Sequence, residues 1–290
     1  MKILRQLIGK LPFAIIAVCA YVLCCAHAQA QEVAQPEEQF ASIALARGTE
    51  LPILVSKQPG SHPDIAVLLF AGYPGILHLR NNNGAIAYDL RGNFLIRARR
   101  HLLNEHIYTV MVDCPKDQWT SCDDRYRTSD QHAQDIATVI DKLKSDFGAE
   151  KVYLLGNSYG TESSSFLALK LGSKIDGAIH SSTFTNSSSG PNSHGLPMWH
   201  FDWTAIKVDQ LFVHHKYDSC HLTPYRGIVS RKGNAPLITI QGSKNAHGNV
   251  CESFSTHGFV GRERSAMLAI ADWIGKREVQ EVVGEDKAEE

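Results

Sequence analysis

Residues 151–161, KVYLLGNSYGT, constrain this chain more than any other stretch. Residues 152–155 are wholly apolar, which suits a strand buried on both faces of a parallel sheet, and 161–171 follow at once as a helix-compatible run. Between them stands Gly156-Asn157-Ser158-Tyr159-Gly160, a G-x-S-x-G pattern. A strand that reverses abruptly into a helix leaves no room for side chains beside the turning residue, so glycines flanking Ser158 fit such a turn. Ser158 is expected at its strained tip, hydroxyl exposed, above the positive end of the helix dipole. Alone, the pentapeptide is an ordinary loop in many chains. The strand before it and the helix after it give it chemical meaning.

The remaining sequence has the same grammar. Short apolar runs at 65–70, 107–112, 175–179, 208–213 and 237–240 are interspersed with helical stretches at 94–104, 131–147 and 263–276. Strands alternating with helices predict an α/β architecture, a mostly parallel sheet covered on both faces. Residues 40–46 and 51–57, around Gly48, read as an antiparallel start to that sheet. In 131–147, Ile136, Val139, Ile140 and Leu143 recur at helical spacing, with Asp135, Asp141, Lys142 and Lys144 expected to face away.

With these elements in order, the GNSYG stretch resembles the nucleophile elbow of the α/β-hydrolase superfamily, and the resemblance runs over most of the chain. It implies an α/β-hydrolase fold and a catalytic Ser158, with an acid and a histidine following in that order. The acid is Asp218, just past the 208–213 run at the carboxyl end of a strand, where open parallel sheets place functional residues. Asp202 precedes that strand and Asp209 begins it, the wrong end. For the base, His257 in Ser255-Thr256-His257-Gly258-Phe259 resembles the His-Gly-Phe ending of many members, and His247 is the alternative. The pattern implies an oxyanion hole built from the Tyr159 amide and one from Ala71-Gly72-Tyr73-Pro74-Gly75, with Tyr73 first and Gly72 second. Pro74 has no N–H to offer. This loop departs from the His-Gly-Gly form of many esterases.

Other features bear on compartment and substrate. Residues 1–30 have a basic start, an apolar centre and Ala28-Gln29-Ala30, the form of a cleaved signal peptide, so the protein is expected to be exported, periplasmic or secreted, without a stable membrane anchor. Residues 31–277 make a single α/β-hydrolase domain, and the acidic 278–290 read as a disordered tail. Cleavage removes Lys2, Arg5 and Lys10, taking the formal net charge from −1 to −4, which gives no footing for nucleic acid.

It also leaves four of the seven cysteines. Cys220 lies beside the proposed acid and Cys251 before the proposed base, in loops that must meet if Asp218 is to reach His257, so these two are expected to pair. Cys114 and Cys122 share one loop and are expected to close a local bridge. Trp199, in the aromatic stretch 199–203, and His214 are candidate substrate contacts, with a packed satellite core the alternative for the stretch. The loop 186–193, rich in Ser, Asn and Gly, is a candidate gate. Despite 14 histidines there is no H-E-x-x-H and no close Cys/His spacing, so neither metal nor cofactor is expected.

The reading is a serine hydrolase acting on a small-molecule acyl substrate, with a carboxylic ester first because its leaving group is better and 181–207 leaves little room for a large cap. Peptide or amide hydrolysis, thioester hydrolysis, and a non-catalytic binding protein on the same fold stay open, as does the oligomeric state.

Overall fold

The computed structural model describes residues 35–189 and 194–285. The expected signal peptide lies outside them. Nine strands form one sheet: β1 (Glu37–Ala44), β2 (Glu50–Lys57), β3 (Ile65–Phe70), β6 (Ile107–Val112), β7 (Lys151–Asn157), β8 (Gly177–Ser181), β9 (Asp209–His215), β10 (Leu237–Ile240) and β11 (Val282–Val283). Their order is β1-β2-β6-β3-β7-β8-β9-β10-β11, and β2 alone runs against its neighbours. A separate small hairpin, β4 (Arg80–Asn82) with β5 (Ala85–Ala87), was not anticipated from the sequence.

The central strands explain why the apolar runs read as continuous. Ala66, Leu68 and Phe70 of β3 enter the core on one face, and Ile65, Val67 and Leu69 enter the core on the other. Helices cover both. On the first face lie α3 (Asp130–Asp146), α4 (Gly160–Leu171) and α5 (Tyr225–Arg231), contributing Ile136, Val139, Ile140, Leu143, Leu167 and Ile228. On the second lie α1 (Phe94–Ala98) and α6 (Glu263–Lys276), with Phe94, Leu95, Met267, Ile270 and Trp273. The helix expected over 94–104 is shorter, tightening after Ala98 into a 3₁₀ turn at Arg99–His101. The short α2 (Asp124–Arg127) precedes α3.

Two expectations need correction. Asp135 does not face away: it is buried, paired with Arg47 and accepting a hydrogen bond from Tyr126 Oη at 2.7 Å, so its partners compensate the lost hydration. Nor is 278–290 a disordered tail throughout. Val282–Val283 add a parallel strand to β10, with Thr239 N donating to Glu281 O and Gln241 N to Val283 O, both at 2.8 Å. Val283 is buried in the second core, and an acidic composition concealed this two-residue docking.

A chain ending at Arg277 should therefore lose stability, by about 2 kcal/mol for one buried valine and an unpaired strand edge. Thermal unfolding should show it as a drop of roughly 4–8 °C. An unchanged melting temperature would return the segment to the status of a loose tail.

Candidate active site

Sterics at the end of β7 dictate the turn. A Cβ on Gly156 would lie 2.4 Å from Gly160 O, and one on Gly160 would lie 2.0 Å from Phe70 O, so only glycine lets α4 start this close to β3 and β7. Between them Ser158 takes φ 55°, the left-handed region that a residue with a side chain rarely occupies. Its N–H donates to Ser181 O at 2.9 Å, which pins the turn to β8.

Ser158 Oγ is 2.9 Å from His257 Nε2, and His257 Nδ1 is 3.0 Å from Asp218 Oδ2. The three residues named from the sequence thus form one hydrogen-bonded chain, each on a loop at the carboxyl edge of the sheet. With Nδ1–H donating to the carboxylate, Nε2 is free to accept the serine proton. His247 stands elsewhere, its ring stacked on Phe254 and Nδ1 2.7 Å from Asn245 O. The rival acids are accounted for too: Asp202 accepts from Thr204 N, and Asp209 pairs with Arg277.

Asp218 is buried yet well supplied with donors. Oδ1 accepts from Cys220 N at 2.9 Å, and Oδ2 accepts from Thr223 Oγ1 at 2.8 Å, with His214 Nε2 3.3 Å away. Burial alone would raise its pKa. The neighbouring His257 charge, with hydrogen bonds from His214 and His257, outweighs burial and holds the carboxyl well below the usual carboxylate range.

His214 therefore needs reassignment from substrate contact to support. It is wholly buried, and Nε2 donates to Thr223 O at 2.8 Å while facing Asp218. Trp199 is half exposed beside His200, and no described contact joins it to Ser158, His257 or Asp218. Phe201 and Trp203, from the same aromatic stretch, are simply core. Residues 190–193 of the candidate gate lie outside the described residues.

Three contributors were not singled out from the sequence. Thr223 Oγ1 bridges Asp218 and, at 3.0 Å, His257 Nδ1. Ser182 Oγ donates to His257 O at 2.7 Å. Asp113 accepts from the amides of Leu77, Leu79 and Cys114 at 2.7–2.8 Å, securing the loop after β3, and burial pushes its pKa up to about 6 against those bonds. Asp113 ends an apolar strand, and an acid there was the available signal.

The loop after β3 lies against the serine: a Cβ on Gly72 would be 3.2 Å from Ser158 Cβ. Among the described residues neither the Tyr73 nor the Tyr159 amide donates a hydrogen bond. Tyr73 is 58% exposed, its ring stacked on His194 at 4.7 Å. Both expected disulfides are present, Cys114–Cys122 and Cys220–Cys251, with Cα separations of 6.3 and 4.7 Å.

The sequence pattern of the family described as "alpha/beta hydrolase fold" matches residues 66–218. No curated protein matches the chain. Among solved structures, Est1E from Butyrivibrio proteoclasticus is similar at 14% identity, covering 81% of this chain and 97% of its own, with a TM-score of 0.56. XC6422 from Xanthomonas campestris, a serine hydrolase without a lid, shares 12% identity over 80% of this chain and 94% of its own, at a TM-score of 0.52. A cold-adapted esterase from an Arctic intertidal metagenomic library shares 14% over 84% and 95%, at 0.54. At such identities the likeness is one of fold.

The depressed Asp218 makes a testable statement about stability. A carboxyl lowered on folding contributes above its unfolded pKa, about 3.9, and that contribution is lost as pH falls toward the folded value. The stability difference between wild type and Asp218→Asn should shrink as the pH falls below about 4, where the carboxylate begins to take up its proton. Urea denaturation across this range measures it, and a difference independent of pH would refute the assignment.

Proposed function

The chain belongs to the α/β-hydrolase fold family, and on that premise we propose that it is an exported serine hydrolase that cleaves carboxylic esters through an acyl-enzyme. The observation that carries the reading is the unbroken hydrogen-bonded chain from Ser158 through His257 to buried Asp218. Ser158 Oγ attacks the acyl carbon as its proton passes to His257 Nε2, and Asp218 orients the ring and stabilises the imidazolium. The oxyanion is received by the amides of Tyr159 and Tyr73, whose loops meet beside Ser158. His257 then gives its proton to the departing alkoxide, which leaves as the alcohol. Water attacks the acyl-serine with His257 again taking a proton, the acid departs, and Ser158 regains its hydrogen.

An ester is the favoured substrate on the strength of its leaving group, and one structural relative, from an Arctic intertidal metagenomic library, is a cold-adapted esterase. Export is supported by two disulfides, which persist in oxidising compartments. No described helix is long and apolar enough to cross a membrane.

Ser158→Ala should abolish turnover of p-nitrophenyl esters and labelling by a fluorophosphonate, while circular dichroism shows an intact fold. Near-normal turnover in the folded variant would remove Ser158 as nucleophile. His257→Ala should lower kcat by orders of magnitude, whereas His247→Ala should leave it within a few-fold. Reversal of that ranking would move the base to His247.

The two disulfides should also differ in effect. Cys220–Cys251 ties the acid loop to the base loop, and small errors in such geometry are costly. Replacing both of its cysteines by alanine should reduce kcat at 25 °C more than replacing Cys114 and Cys122, as initial-rate measurements would show. Equal effects would make both bridges purely structural.

A further inference from the structure

Away from Ser158, a cleft of about 710 Å³ opens between the 3₁₀ turn Arg99–His101 and the start of α6. Its charge is one-sided. Arg97, Arg100, Arg262 and Arg264 all line it, with His101, against a single carboxylate, Glu263.

That carboxylate is already engaged, accepting from Arg97 Nε at 3.1 Å and Nη2 at 3.0 Å. Arg97 is otherwise committed to Gly92 O and Gly258 O, and Arg262 Nε to Gln241 O. Arg100 and Arg264 are exposed and, among the described residues, their side chains make no hydrogen bond or ion pair. Like charges gathered in a concave site repel one another and raise the local concentration of anions. The same field acts on His101, held below its ordinary value by burial, then by Arg100 and Arg264.

We propose that this cleft is a binding site for a phosphoryl oxyanion, gripped by the Arg100 and Arg264 guanidinium groups. Guanidinium forks match tetrahedral oxyanions bidentately, and a multivalent anion neutralises both at once. The cleft is remote in function from the serine chain but not isolated from it. Arg97 Nη2, on its wall, also donates to the carbonyl of Gly258, the residue after His257.

The test is calorimetric titration of the full chain with inorganic pyrophosphate, at ionic strength held constant with sodium chloride because exposed arginines respond to salt. A parallel arm measures co-sedimentation with phosphatidylcholine vesicles with and without phosphatidic acid. Saturable binding that weakens roughly tenfold or more in Arg100→Ala/Arg264→Ala supports the site, since two charge-assisted contacts are lost.

The Lys144→Ala/Lys207→Ala variant removes the same charge elsewhere and should bind like wild type. Pyrophosphate binding without vesicle binding assigns a soluble phosphoryl ligand, and vesicle binding that needs the two arginines assigns a lipid headgroup. Absence of both, or equal weakening in the lysine variant, overturns the proposal. Circular dichroism melting checks the fold of each variant, with Arg100→Gln and Arg264→Gln as single substitutions should the double one unfold.

Discussion

The closeness of α4 to β3 is the constraint on which the site depends. Gly160 packs where any side chain would strike Phe70 O, and Gly156 packs where any side chain would strike Gly160 O. A methyl group at either would drive the helix off the sheet and carry Ser158 with it. The left-handed backbone at Ser158 costs on the order of 1–2 kcal/mol. Such strain persists only where its surroundings over-determine it, and here β7 is locked between β3 and β8 with residues 152–157 all buried.

A second constraint is electrostatic. Burying a carboxylate is costly unless donors replace its water, and Asp218 is answered by the Cys220 amide, the Thr223 hydroxyl, His257 and His214. The carboxyl stays ionised as a result, which is what a partner for an imidazolium requires. His214 illustrates how fully the charge is surrounded: its Nε2 sits between Thr223 O and Asp218, so it fastens the residue that fastens the acid.

How much of this was legible depends on whether a residue's role is local or comes from loops that meet only after folding. The elbow was legible because its glycines, strand and helix are contiguous. The central strands were legible because burial on both faces leaves an unbroken apolar run. His257 was chosen over His247 by likeness of motif, and spacing alone did not separate them. Thr223 and Ser182 looked like any loop hydroxyl, since their partners lie 34 and 75 residues away in sequence. His214 was decipherable in hindsight. Strand alternation puts it on the face of Phe212 and sends His215 to the face of Leu211 and Val213, so the two histidines never shared a pocket. The docking of Val282–Val283 rests on two residues in an acidic stretch, too short for composition to register.

The base loop itself has little regular structure, only the single 3₁₀ turn Thr256–Gly258, and so must borrow its rigidity. It is held from several sides. Ser182 Oγ, at the end of β8, takes the His257 carbonyl, Arg97 takes the Gly258 carbonyl from α1, and Thr256 Oγ1 donates to Tyr217 O beside the acid. Cys251 adds a covalent tie to Cys220, itself hydrogen-bonded to Asp218. Acid and base are therefore fixed to each other through the loops, and to the serine only through the sheet and one imidazole. The restraints on the imidazole are correspondingly one-sided: Nδ1 faces both Asp218 Oδ2 and Thr223 Oγ1 at 3.0 Å, whereas Nε2 meets the Ser158 hydroxyl at 2.9 Å, so the ring is oriented from its carboxylate side.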